Sequence, residues 1–176
     1  MLQVLFLISS ISMSVQHEWT WSVHPESGFK VLSPFELVHQ VTEIPTIAEP
    51  IVYHQYHGGS LQDSILQLAF VIDHYKISRQ EIGGDEEHLR EFFGITVDEI
   101  LKAVNGTLVY IDYTTQADRE ICLWRASYEN GKGIIRGQLI VEGDKYYGLQ
   151  AFGYDLERTN VMMRKFIDSF HITDTE

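Results

Sequence analysis

The chain has 176 residues, of which 44% are hydrophobic and 22% charged, with 13 basic against 25 acidic side chains and a formal net charge of −12. A one-domain length with ordinary apolar content excludes a disordered chain, which needs low hydrophobicity and high charge. The acidic balance excludes a sequence-independent grip on DNA or RNA and disfavours anionic membrane surfaces, since both call for clustered Lys and Arg, whereas a basic protein partner or a divalent cation is electrostatically permitted.

Leu2 to Ile11 form an apolar run, LQVLFLISSI, that ends in small residues at Ser12 and Ser14. The run is too short to span a bilayer, which needs about 20 residues. Apolar length followed by small residues is the pattern of a secretory signal peptide. No Lys or Arg precedes it, so two alternatives stay open: a start further upstream, or an ordinary buried strand or helix. No Cys follows the run, which gives no support to a lipid anchor. The expectation is a leader over residues 1–14 and one domain over 15–176, secreted or periplasmic, with a cytoplasmic protein as the alternative.

Trp19 to Val23 and Gly28 to Leu32 read as a hairpin around the turn formers His24 to Gly28. Pro34, Pro45 and Pro50 punctuate a stretch holding a short strand, Leu37 to Val41. Ile51 to His57 is a further strand, closed by Gly58 and Gly59. Ile65 to Tyr75 is apolar on both faces, as expected of a central strand. Asp85 to Glu87 open a helix through Phe93, since acids favour its positive N-terminus. Gly94 interrupts it, and Thr96 with Glu99 form a capping box for a second helix, stapled by Ile95 and Ile100 and ending at Asn105-Gly106. Leu108–Thr115, Arg119–Tyr128, Gly133–Glu142 and Lys145–Tyr154 are then four strands joined by TQAD, ENGK and EGD. Connections this tight make them antiparallel neighbours. A final helix runs from Asp155, its cap, to Phe170, with Val161, Met162, Phe166 and Phe170 as its apolar face. The fold class expected is α+β: an antiparallel sheet of about six strands plus an N-terminal hairpin, sandwiched by helices.

The segments SGFKVLSP, DKYYGLQAF and MMRKFIDSFHI, in that order around a helical midsection and a meander, resemble the PsbP-like family of α-β-α sandwiches over Trp19 to Ile172. The strongest pieces are Gly28-Phe29 with Pro34, Lys145 to Tyr147, and Phe166 to Phe170. That family includes extrinsic proteins of the photosynthetic oxygen-evolving complex, a Ran-binding nuclear import factor and bacterial secreted proteins of unknown role. The resemblance implies a binding or assembly module rather than an enzyme. It carries no binding residue onto this chain, because its motifs belong to the fold and not to a site.

The residues themselves supply little catalytic chemistry. No phosphate-binding glycine loop, nucleophile elbow or zinc-helix motif occurs. Cys122, the single cysteine, cannot form an internal disulfide and reads as a packing residue sharing a strand face with Glu120 and Trp124. His54 and His57 fall on opposite faces of a strand and cannot chelate one ion there. Asp73-His74 and Glu87-His88 likewise point apart. Glu81, Asp85, Glu86, Glu87 and Glu91 read as capping and a solvated face. Arg125 and Arg136 are expected to pair Asp112 or Glu120. Tyr110, Tyr113, Tyr128, Tyr146, Tyr147 and Tyr154 cover the sheet or line a cleft at its edge. Asn105-Gly106-Thr107 is a glycosylation sequon, relevant only to a eukaryotic secretory route. No catalytic, cofactor-binding or metal-ligating residue is assigned, and no cofactor. Two functions are carried forward. One is a binding or assembly module whose partner is another protein, with no nucleic acid and no stable membrane insertion. The other is a hydrolase-like or small-ligand-binding protein with a site assembled from distant residues.

Overall fold

A computed structural model of the protein describes residues 18–46, 49–60, 67–77, 82, 85–116 and 119–173. The expected leader over residues 1–14 lies outside them, as do Glu81 and part of the TQAD turn.

Alternation of apolar and polar side chains builds the first hairpin, β1 (Thr20–His24) and β2 (Phe29–Ser33), in which Phe29, Val31 and Ser33 are buried and Lys30 and Leu32 only half so. The chain then forms β3 (Val38–Ile44), β4 (Ile51–Ser60) and β5 (Leu68–Lys76), a helix α1 (Glu86–Val104), and the meander β6 (Thr107–Gln116), β7 (Arg119–Tyr128), β8 (Gly133–Glu142) and β9 (Lys145–Tyr154). It closes with helix α2 (Glu157–Asp168) and a short strand β10 (His171–Ile172).

Two antiparallel sheets result. The larger has seven strands in the order β3-β4-β5-β9-β8-β7-β6, and the smaller has three in the order β1-β2-β10. The strand from Leu68 is central as expected, between β4 and β9. Period-two alternation sends successive residues of β7 and β8 into different cores. On one face Ile121, Ile134 and Ile140 join Phe29 and Val31 of the hairpin and Met163, Phe166 and Ile167 of α2. On the other, Cys122, Trp124, Ile135 and Leu139 pack with Phe93, Val97 and Leu101 of α1. The result is an α+β fold in which the large sheet lies between the two helices.

Four local expectations are corrected. Gly94 does not break the midsection: α1 is one helix of 19 residues, because Phe93, Val97 and Leu101 carry one buried stripe straight through the glycine. Thr96 is therefore no cap. Its hydroxyl donates to the Phe92 carbonyl one turn back, 2.9 Å away. The helix does start at Asp85, whose carboxylate accepts from the His88 N–H, and stops on Asn105 in the left-handed conformation. Gly58 and Gly59 do not end β4 either. A side chain at Gly58 would meet the Glu36 carbonyl at 2.9 Å and Phe35 at 3.1 Å, so the glycines let the chain before β3 cross closely over the strand. Finally, α2 is capped from Leu156 with no side-chain bond, and Asp155 instead accepts from Asn160 and Arg125. Its buried stripe is Thr159, Met163, Phe166 and Ile167, while Val161 is exposed.

Candidate functional site

Register brings three histidines, distant in sequence, to one region of the large sheet. His54 lies opposite His74 of β5 and beside Val41 of β3, and His39 lies opposite Tyr56. The hairpin turn from β1 to β2 settles over them and contributes His24, Glu26 and Ser27. Tyr56, fully buried, is the hub. Its hydroxyl is 2.7 Å from Ser27 Oγ and donates to Glu26 Oε1 at 3.3 Å. Its ring has His24 at 4.3 Å, His39 stacked at 4.2 Å and Phe29 edge-on at 5.0 Å.

The imidazoles are arranged with defined proton positions. His39 Nε2 and His54 Nδ1 are 3.0 Å apart, with ring planes 13° from parallel, so the rings share one proton nitrogen to nitrogen. His74 Nδ1 donates to the Tyr146 carbonyl at 2.9 Å, which leaves its Nε2 as an acceptor, and the ring stacks on Tyr147 at 4.6 Å. Burial holds the pKa of His24, His54 and His74 below the ordinary imidazole value. Glu26 is held below the usual carboxylate range, first by a hydrogen bond from its own backbone N–H. His24, His54 and His74 are thus neutral imidazoles at pH 7, with a carboxylate beside His24.

This array opens into a cleft of about 730 Å³. Glu26, Thr46, Glu49, His54, His74, Lys76 and Lys145 supply its polar lining. Such a cleft, with convergent polar groups of shifted pKa, has the shape of a small-ligand site.

One further constellation sits on the hairpin itself. Ser22, His24 and Glu26 alternate along β1 and its turn, so their side chains share a face. Ser22 Oγ is 2.8 Å from His24 Nε2, and His24 Nδ1 is 3.8 Å from Glu26 Oε1. The order serine, imidazole, carboxylate is that of an acyl-transfer triad. The last link is longer than a hydrogen bond, and the same carboxylate oxygen receives the Tyr56 hydroxyl.

The opposite face of the same strands holds a buried carboxylate. Asp73 Oδ1 accepts from Gln55 Nε2 at 3.0 Å, and Oδ2 from Gln150 Nε2 at 2.9 Å. Burial raises its pKa despite these bonds and a third from Tyr53. Every polar partner in this cluster is satisfied by another, which is the behaviour of a structural network.

The residues singled out in the sequence fall as follows. His54 and His57 do lie on opposite faces, and Asp73 and His74 also point apart. Cys122 is fully buried among α1 and β7 side chains, and burial pushes its thiol up to about 12. His88 pairs with Asp85 at 2.7 Å, and Glu86 pairs with Arg90, so the acidic stretch caps and solvates α1. The arginine pairing differs from expectation. Arg125 binds Asp155 at 3.1 Å, Glu120 is taken by Arg90 at 2.5 Å, and Asp112 accepts the Tyr113 N–H at 2.9 Å. Arg136 lies opposite Arg125 with its Nε buried and without a described partner. His24, His39 and Ser22 escaped sequence reasoning. Pairing Val38 with His57 across the β3–β4 hairpin would have revealed the His39–His54 contact.

No protein-family profile matches the sequence, and no curated protein matches it. Among solved structures the chain is similar to cyanobacterial PsbP (CyanoP) from Synechocystis sp. PCC 6803, with a TM-score of 0.61 over 94% of this chain and 98% of that one. The identity is 8%, so the likeness is one of fold: the chain has the PsbP-like architecture. Among the described residues no helix is long and apolar enough to cross a membrane.

Proposed function

We propose that this chain is a non-catalytic binding or assembly module whose partner is another protein. The observation that carries this reading is the uncovered end of the large sheet. On β3, Val38 and Ile44 on one face are 57% and 41% exposed, and on the other face Val41 of β3 and Val52 of β4 are 53% and 45% exposed. Apolar side chains left open on both faces of an edge strand mark it as an interaction surface. The PsbP-like architecture supports the same reading, since the family it resembles is one of binding and assembly proteins. The apolar run before Ser12 and Ser14 supports a place of work outside the cytoplasm. N-terminal sequencing of the mature product tests that placement, and a product still beginning at Met1 overturns it. Affinity capture by the immobilised full chain at physiological salt tests the module itself: one stable protein partner is expected, and no specific retention refutes it.

A second reading has its own observation. Ser22, His24 and Glu26 stand in triad order, and Glu26 lines the cleft, which supports acyl hydrolysis. Hydrolysis of p-nitrophenyl acetate abolished in Ser22→Ala, together with labelling of Ser22 by a fluorophosphonate, would establish it. Rates equal in parent and variant would remove it.

A further inference from the structure

We infer that the outer edge of β3 takes up an extended, Lys- or Arg-bearing segment of the partner protein as an added strand of the large sheet. The inference rests on the module reading above and names how and with what the module binds. β3 ends the strand order, and all seven of its residues are exposed. A sheet edge presents a row of backbone N–H and C=O groups ready to pair, and proteins that do not use an edge blunt it with a bulge, Pro or Lys. The two edges of this sheet differ in that respect. At the far edge, β6 slips register between Leu108 and Tyr110, and Arg90 of α1 lies over Tyr113 with its guanidinium 5.3 Å from the ring. β3 pairs β4 in unbroken register from Val38 to Ile44 and contains no Pro, Gly, Lys or Arg. It is an unguarded strand, and Val38, Val41 and Ile44 offer alternate side chains on both of its faces.

Charge selects the occupant. Between Lys30 and Lys76 the sequence has no Lys or Arg, while Glu36, Glu43 and Glu49 are exposed on and around the strand. A second copy of this chain, itself carrying −12, would bring the same carboxylates without a Lys or Arg to meet them. A basic extended segment meets them, with its backbone pairing the edge and its cations over Glu36, Glu43 and Glu49.

Seven residues of strand span about 24 Å, so a decapeptide covers the edge. The test is anisotropy of a fluorescein-labelled alternating Val–Lys decapeptide titrated with the full chain. Saturable binding that weakens with salt is expected. Two changes should each weaken it about tenfold or more: the combined Glu36→Lys, Glu43→Lys and Glu49→Lys variant, and N-methylation of every peptide bond, which keeps every charge but removes the N–H groups from both edges of the peptide. No saturable binding, equal binding of the methylated peptide, or an unaffected variant overturns the inference. So does sedimentation showing a dimer that Val41→Lys dissolves, because the edge then serves a second copy. Capture of one protein partner equally by parent and triple variant leaves the module standing and overturns the edge alone.

Discussion

Truncation of Phe166 to alanine tests how α2 is held on the sheet. The ring is fully buried and lies flat on Phe70, with centroids 4.0 Å apart and planes 4° from parallel. Its helical neighbours Met163 and Ile167 are buried in the same cluster, and Phe170 packs on Phe29 at 5.4 Å, so α2 is pinned on either side of the deletion. The site cannot collapse into the space, which places the cost in the range for a buried Phe→Ala change, about 3–5 kcal/mol. For a domain of this size each kcal/mol lowers Tm by about 2–4 °C. Urea unfolding followed by tryptophan fluorescence should show a lower midpoint at unchanged slope. Val161→Ala on the same helix, at a residue 54% exposed, is the control and should stay within about 0.5 kcal/mol of the parent. Equal losses in the two variants would refute the docking of α2 described above.

Acid should destabilise the protein below about pH 6.5, the unfolded imidazole value. The pKa of His74 is lowered by burial, so the unfolded chain takes up protons that the native one refuses; stability is intact above that pH and falls toward the native pKa, with a limiting slope of about 1.4 kcal/mol per pH unit for this one buried group. Denaturation at stepped pH should show a shallower fall in His74→Gln, and identical slopes would count against the assignment. Asp73 has the opposite sign: its pKa is raised by burial, so its contribution is full at low pH and is lost as pH rises through the native value. The stability of Asp73→Asn relative to the parent should therefore climb between pH 4 and pH 7, and a flat difference would contradict the buried carboxylate. Cys122, with a thiol pushed up to about 12, should resist Ellman's reagent until the protein unfolds, and rapid native labelling would show that it is accessible.

Much of the meander was legible because its turns carry their own chemistry. Asn130, Gly131 and Gly143 adopt positive φ, and the strand ends fall beside these residues. Gly94 misled because a glycine inside a helix costs only about 1 kcal/mol, less than the stripe from Phe93 to Leu101 returns by burial. Gly58 and Gly59 misled in the same way, since they answer a close approach from Phe35 and Glu36 and not a reversal of the chain. The histidine array was not legible, because positions 24, 39, 54 and 74 share no local period. Only the registers of β3, β4 and β5, and the placement of the hairpin on them, bring these rings within 6 Å of a neighbour.

The ends of the described chain are sewn together. The Thr173 N–H donates to the Gly28 carbonyl at 2.8 Å, the Leu32 N–H donates to Ser169 Oγ at 2.9 Å, and β10 completes the small sheet beside β2. A polypeptide emerging from a ribosome or a translocation pore would expose the β1–β2 ribbon, including the aromatic underside of Phe29, until β10 had been made. Loop closure over so long a separation is slow, and exposed apolar ribbon is vulnerable to clumping and proteolysis. Disruption of His171 to Thr173 should therefore strand the β1–β2 hairpin rather than merely shorten the chain after α2.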